Sequence, residues 1–299
     1  MLNGWIILDK PVGLGSTTAV SAVKRILRQA GEPKTKGGHG GTLDPLASGV
    51  LPIALGEATK LCGRMLDATK SYDFTIRFGQ ETDTLDAEGA VVAESPIRPK
   101  LQQIESVLAR FTGPIEQIPP AYSAVKVGGK AAYARARAGE ALELKPRRVT
   151  IHELTVKEAL PDAVTLAVTV SKGTYIRSLA RDIAQALGTL GHVTYLRRTR
   201  AGPFTLESAI SLDFLNEAAK ARDLTRVVLP LEAALDDIPA LPVTPGQAQL
   251  LRHGQRLGGF PEQPGLCIAT LEGTPVALVE ATADGLKVVR GFNFLDVAE

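Results

Sequence analysis

The sequence predicts a mixed α+β protein with a small β domain at its end. Residues 72–78 alternate strictly, with Tyr72, Phe74, Ile76 and Phe78 on one face and Asp73, Thr75 and Arg77 on the other, as a half-buried strand does. Two stretches repeat apolar residues at the helical period: Ala19, Val20, Val23, Ile26 and Leu27, and later Ile176, Leu179, Ala180, Ile183 and Leu187. After Phe204 the character changes. Residues 211–235 read as helical and mixed, 241–245 as a linker, and 246–299 as short strand-like runs, among them 274–280 and 285–290. A length of 299 residues leaves room for one large domain and one small one.

Taken in order, residues 4–9 (GWIILD) read as a short buried strand that Lys10-Pro11 ends. A helix over 17–29 follows, stopped by Gly31. Residues 37–52 (GGHGGTLDPLASGVLP) are the stretch the rest is organised around. Four of the first five are glycine, so the backbone can approach a ligand closely. A single carboxylate, Asp44, then stands before a proline that restricts it to extended backbone, and the nearest acids in sequence are Glu32 and Glu57. Paired carboxylates would suit glycoside hydrolysis; a lone one on a rigid turn suits a single nucleophile or base. Asp-Pro is also a common turn starter, and chemistry alone leaves both readings open. A P-loop is excluded, because no Gly-Lys-Ser/Thr stands at the required spacing.

Beyond the strand at 72–78, residues 79–89 are rich in turn formers and acids and read as a structural loop. Pro119-Pro120 and Gly128-Gly129 interrupt a basic stretch at 118–139 that holds a short helical piece. Strands follow at about 148–157 and 164–170, then the helix from Ile176, with Thr174 as its N-cap and Gly188 as its stop.

Hydrophobic residues make up 44% and charged residues 22%, ordinary values for a globular chain, and no apolar run approaches the ~20 residues of a membrane span. No membrane association and no signal peptide are expected. Cys62 and Cys267 stand alone, which fits a reducing cytoplasm rather than a disulfide framework. The four histidines, His39, His152, His192 and His253, show no metal-ligand spacing, so no metal is expected. The net charge of +2 hides an asymmetry: residues 201–299 carry 7 Lys+Arg against 13 Asp+Glu, residues 1–200 carry 27 against 19. Two segments concentrate the excess. One is 126–148, with Lys126, Lys130, Arg135, Arg137, Lys145, Arg147 and Arg148; the other is 172–200, with Lys172, Arg177, Arg181, Arg197, Arg198 and Arg200. Any one such patch suits a solvated surface; two beside a glycine-rich motif point to a polyphosphate partner such as nucleic acid.

The stretch GHGGTLDPLASGVLP resembles the catalytic motif of the TruB-type tRNA pseudouridine synthases, and fifteen consecutive residues fit it. GWIILDKPVG, Lys70-Ser71-Tyr72, GQETDTLDAEG, IPPAYSAVKVGGKAAYARARAG, SKGTYIR and HVTYLRRTRAGPF resemble further motifs of that family, so the likeness covers residues 3–204. One departure stands out: Gly15 occupies a place where the family commonly has a hydroxyl residue.

The resemblance implies a mixed, largely antiparallel central sheet with flanking helices (the pseudouridine synthase fold) and a small C-terminal PUA-like β domain. It implies a catalytic domain over 1–235, with a mobile basic loop at about 118–148 that clamps RNA, and the C-terminal module over 242–299. It implies isomerisation of the T-loop uridine of tRNA, position 55 in tRNA numbering, after the base is flipped out. Asp44 would be the catalytic carboxylate, Tyr72 would stack on the uracil, and Leu196 would lie against it. Tyr175 and Arg177 would flank Asp44, His39 would fill the place the base leaves, and Lys10 would stand behind the floor. A cation in the first turn of a helix opposes the helix dipole, so Arg177 is better explained by a carboxylate partner, for which Asp44 is the candidate. Lys126, Lys130, Arg135, Arg147, Arg148, Arg197 and Arg198 would contact RNA. The partner would be the tRNA T stem-loop, the chain a monomer, and no cofactor is called for, because the reaction is neither redox nor phosphoryl transfer. Two other readings remain: a non-catalytic tRNA-binding or RNA-folding protein, and a guide-RNA-dependent relative.

Overall fold

Strand β1 (Gly4–Lys10) is apolar on both faces, and the computed structural model covers both. The structure describes residues 2–123, 125–140, 143–259 and 264–294, with backbone alone at 126, 127, 130, 131 and 137. Helix α1 (Ser16–Gln29) follows, then β2 (Gly37–His39), β3 (Ser48–Leu55), the short helix α2 (Cys62–Asp67) and β4 (Lys70–Phe78). A small pair, β5 (Gln80–Thr82) and β6 (Val91–Glu94), leads to α3 (Leu101–Leu108) and β7 (Gly113–Gln117). The hairpin β8 (Lys126–Val127) and β9 (Lys130–Ala131) precedes α4 (Ala132–Arg137). Next come β10 (Arg147–Leu160), β11 (Ala163–Val170), α5 (Ile176–Ala186), β12 (Gly191–Ala201), β13 (Phe204–Thr205) and α6 (Leu212–Lys220). A last group holds β14 (Ala240–Pro242), α7 (Pro245–Arg252), β15 (Gly265–Leu271), β16 (Thr274–Thr282) and β17 (Gly285–Gly291).

The main sheet runs β1-β3-β12-β4-β11-β10-β7, with β2 added on β3 and β13 on β12. Its described pairings are antiparallel except that of β12 with β3, which run parallel where Arg197 meets Ser48 and Arg198 meets Gly49. Alternation in β1 and β3 then builds two cores. Ile6, Leu8, Leu51, Ile53 and Leu55 face α1 and α5. Trp5, Ile7, Val50 and Ala54 face the opposite way, onto Ile268, Leu278 and Phe292. The C-terminal sheet, β14-β15-β16-β17, therefore closes the back of the main sheet, while its outer face packs on Ala248 and Leu251 of α7.

Two local expectations need correction. Residues 241–245 are structured rather than a linker: β14 is an edge strand, where a proline lacking its N–H is tolerated. Thr244 and Gln247 make a capping box, with Pro245 in the first turn of α7. Thr174 is not the cap of α5. The Gln117 side chain accepts from Tyr175 N (2.8 Å) and donates to Tyr175 O (3.1 Å), while the Thr174 hydroxyl turns back to Ser171 O. A side chain from β7 thus fixes the start of α5.

Candidate active site

The Asp44 loop joins β2 to β3 and is held at several carbonyls. Ser16, the first residue of α1, accepts from Leu43 N (2.8 Å) and donates to Leu43 O (2.9 Å). Arg198 donates to Val50 O (2.7 Å), Gly41 O (3.1 Å) and Thr42 O (3.4 Å). Gly13 N and Lys10 Nζ both reach Pro45 O. The glycines before Asp44 have a steric reason: a Cβ on Gly40 would sit 2.6 Å from Met65 Cβ, and Gly41 has φ +141°.

Within this frame Asp44 Oδ2 lies 2.9 Å from Arg177 Nη2. The two differ in access, the side chain of Arg177 being 6% exposed and that of Asp44 39%. Arg177 also donates to Thr84 O (2.8 Å) and Tyr122 O (2.9 Å), and its Nη1 lies 3.4 Å from the buried Asp86. One fixed guanidinium thus sits between a buried carboxylate and an accessible one. Asp86 is itself held by Thr84 Oγ1 and Glu88 N, next to Leu85, whose φ of 63° is unusual for a branched residue. Asp44, isolated in sequence, therefore has acidic neighbours in space. Burial, with the negative charges of Asp86 and Asp44, raises the Glu88 carboxyl above its ordinary range. Burial lowers Lys10 to about 8, against a smaller opposing pull from Asp44.

Asp44 opens into a cavity of about 290 Å³, lined also by Tyr72, Tyr175, Arg177, Leu196 and Lys70. That is the low end of the ~300–1,000 Å³ usual for small-molecule sites, room for one nucleoside rather than a longer strand. The Arg147 guanidinium stacks over the Tyr175 ring at 5.4 Å. Lys10 and His39 are not in the lining. Lys10 is fully buried and donates to Pro11 O and Leu14 O. His39 pairs with Ile53 through β2, and burial, with the charge of Arg198, lowers its pKa below the ordinary imidazole range.

The residues proposed to touch RNA separate. Arg198 is 1% exposed and spends its donors on the Asp44 loop, which corrects its expectation as an RNA contact: burial turns it into a brace. Arg197 makes a two-point pair with Asp9 (2.8 and 3.0 Å), and Arg135 pairs with Glu140. Arg148 is exposed, 3.9 Å from Glu116. The side chains of Lys126 and Lys130 lie outside the described residues. Among the described residues no three His, Cys, Asp or Glu are placed to hold a metal ion.

Sequence reasoning missed Asp86, Glu88, Gln117 and Lys70. Only Lys70 left a signal: it shares the apolar face of Tyr72, Phe74 and Ile76, and a lysine there must find partners. It donates to Met65 O, Leu66 O and Ala68 O at the end of α2, and burial lowers it to about 8.

Comparison with known proteins agrees with this architecture. The family model described as TruB family pseudouridylate synthase (N terminal domain) matches residues 24–176, and that described as tRNA pseudouridylate synthase B C-terminal domain matches 177–236. The chain is 61% identical to a tRNA pseudouridine synthase B of Novosphingobium aromaticivorans, covering 100% of both chains. It is 60% identical to that of Zymomonas mobilis, over 98% of this chain and 97% of the other. Among solved structures it resembles a chain of an H/ACA RNP bound to a substrate RNA containing 2′-deoxyuridine (TM-score 0.73, 26% identity, 98% of this chain and 86% of the other). A chain of a Cbf5-Nop10-Gar1 complex is similar (TM-score 0.74, 28% identity, 97% and 85%). With family models matched from residue 24 to 236 and relatives about 60% identical along its length, this chain belongs to the TruB family of pseudouridylate synthases.

Proposed function

We propose that the chain converts the T-loop uridine of tRNA (position 55) to pseudouridine, with Asp44 as the reacting carboxylate. The observation that carries this reading is the half-exposed Asp44 at a nucleoside-sized cavity, oriented by a buried arginine. The reaction breaks the bond from C1′ to N1 and forms one from C1′ to C5; C5 gives up a proton and N1 ends with one, so nothing is oxidised or reduced. The target must first leave its stack, at a cost of a few kcal/mol that binding of the rest of the RNA offsets. Asp44 serves the chemistry by attacking C1′ or by taking the C2′ proton, and both require an accessible carboxylate held in place. Tyr72 and Leu196 supply apolar surface for the ring, Tyr175 and Arg177 fix the side of Asp44 away from it, and Lys10 adds positive charge behind the floor. His39 fills the gap left in the loop.

The division that goes with this reading is a catalytic unit over 1–235, with the basic loop at about 118–148 as an RNA clamp, and a PUA-like unit over 242–299. In this reading Arg147, which stacks on the cavity residue Tyr175, and Arg135, Arg148, Lys126 and Lys130 contact the T stem-loop. The reading takes the chain to act as a monomer, in a reducing cytoplasm that suits the two unpaired cysteines Cys62 and Cys267. No described helix is long and apolar enough to cross a membrane. The test is a purified chain given bare tRNA transcript, with pseudouridine read by carbodiimide labelling. Conversion of the T-loop uridine without any other RNA or protein is expected. Dependence on an added guide RNA would favour the guide-dependent alternative, and binding without conversion the non-catalytic one.

A further inference from the structure

Five cations on α1 and the loop after it have no part in the site described above. Lys24, Arg25, Arg28, Lys34 and Lys36 are all exposed, and within residues 11–36 Glu32 is the sole acid. Among the described residues none of the five is in an ion pair. In the basic segments 126–148 and 172–200 several cations are compensated: Arg135 pairs with Glu140, Lys172 with Asp67, Arg181 with Asp182, and Arg197 with Asp9. The helix dipole accounts for a cation in the last turn, hence for Arg28, but not for the rest. Five uncompensated positive charges repel one another, and a polyanion relieves that repulsion.

Their arrangement is linear. Thr17, Thr18, Ser21, Lys24, Arg25 and Arg28 are exposed at helical spacing and form one stripe, hydroxyls first and cations after. The stripe borders a groove of about 720 Å³ whose other wall includes Pro33, Lys34 and Leu212. It is also tied to the Asp44 loop and to the start of β2, the strand that leads into that loop. Ser16, where the helix begins, grips Leu43, and the Lys24 stem lies over Gly37, where a Cβ would meet its Cδ at 3.2 Å. At 1.5 Å per residue, Lys24 to Arg28 lie roughly 12–18 Å along the helix from Ser16.

We propose that this stripe, with Lys34 and Lys36, binds a second run of sugar-phosphate backbone of the same substrate RNA, on that scale of distance from the nucleotide in the Asp44 cavity. The inference rests on the RNA-modifying reading above. A bilayer is the poorer occupant, because between residues 13 and 36 no large apolar side chain is exposed to enter it. The exposed hydroxyls of Thr17 and Thr18, followed by cations, suit phosphate oxygens along a strand, while Ser21 Oγ donates to Thr17 O of its own helix.

The test is the triple variant Lys24→Gln, Arg25→Gln and Arg28→Gln, which keeps good helix formers on an exposed face. Binding to tRNA transcript is measured across a salt series, with single-turnover conversion at saturating RNA. Affinity should fall about 10- to 100-fold near 0.1 M salt. The slope of log affinity against log salt should shrink by about two to three, since each lost phosphate contact removes ~0.7–0.9. The saturating rate should stay within about twofold of wild type. A second variant, Arg25→Lys with Arg28→Lys, should keep the wild-type slope. If the triple variant binds tRNA with unchanged affinity and slope while wild type converts uridine normally, the inference fails and the functional reading stands. Loss of binding to anionic phospholipid vesicles with tRNA binding intact would also overturn it. A wild-type chain that neither binds nor converts tRNA would remove the functional reading and this inference with it.

Discussion

Asp44 and Arg177 behave as one unit, and their energetics follow from unequal burial. Asp44→Asn keeps the shape and loses the charge, so under the proposed function, in which phosphate contacts elsewhere supply the affinity, kcat should fall by several powers of ten while tRNA binding survives. Arg177→Ala leaves Asp86 buried without its cation. It should cost stability of about 3–5 kcal/mol as well as rate, whereas Arg177→Lys keeps the charge and loses the fork that spans two carboxylates. Adding Arg177→Lys to Asp44→Asn should slow the single-turnover rate little further; full additivity would separate the two residues. Lys10 supplies a pH test. It is lowered to about 8 when folded and lies near 10.5 when unfolded. Between those values the unfolded chain holds a proton the folded one lacks, so this group's contribution to stability rises with pH across the window. Denaturant midpoints of wild type should therefore gain on those of Lys10→Met from pH 8 to 10; a constant difference would refute the assignment. The Asp44–Arg177 pair was legible mainly through the family motif around Arg177; a cation in a first helical turn asks for an anion but does not say which. Asp86 was not, since 91 positions separate it from Arg177 and its local surroundings read only as a turn.

At the scale of elements, α5 is aimed by a neighbour rather than by its own cap. Gln117 satisfies both backbone groups of Tyr175, two residues before Arg177. Gln117→Ala should leave a buried N–H and C=O unpaired, costing about 1–3 kcal/mol, and tilt the first turn that carries Arg177. A drop in kcat larger than the change in KM, together with a lower melting temperature, is the expected pair of readouts. Gln117→Glu, which can still accept from Tyr175 N, should recover part of both. Strands β1 and β11 and helix α1 were legible to within a residue, but β10 runs three residues past the expected 157, to Leu160, and within 211–235 only Leu212–Lys220 is α-helix. The cap was misassigned because Thr174 has the right chemistry locally and a better competitor arrives from 58 residues away. The 241–245 stretch misled for the opposite reason: two prolines look like a linker, yet each occupies one of the few places where a strand edge or a helix start accepts it.

At the scale of the molecule, the C-terminal sheet is a structural lid on the back of the catalytic strands. Ile268, Leu278 and Phe292 cover Trp5, Ile7 and Val50, while the opposite faces of the same strands border the core under α1. Burying three such side chains contributes roughly 1.5–3 kcal/mol each, comparable in sum with the whole ~5–15 kcal/mol of a typical domain. A chain ending at residue 239 should therefore melt far lower than the full chain or aggregate through the uncovered face, and calorimetry with light scattering would show it. Unchanged melting would mean that the second core is dispensable. That a small β unit stands there was legible from the strand-like runs at 274–280 and 285–290; that it completes the core of the large one was not, because residues 4–9 read as a buried strand without saying what covers each side, and β3 was not legible as a strand at all.

The parallel junction of β12 with β3 also sets a timetable. Arg198 braces Gly41 and Val50 from 157 and 148 residues further along the chain. On a ribosome adding ~5–20 residues per second, roughly 7–30 s pass between synthesis of Val50 and of its brace. Through that interval the Asp44 loop exists as sequence but not as a site, and β3, paired by β1 on one edge and by β2 at Ile53–Leu55 on the other, waits for a partner at Ser48 and Gly49. The nascent enzyme is inert until its last catalytic strand is made, and its early strands are a natural client for whatever shields apolar edges during translation.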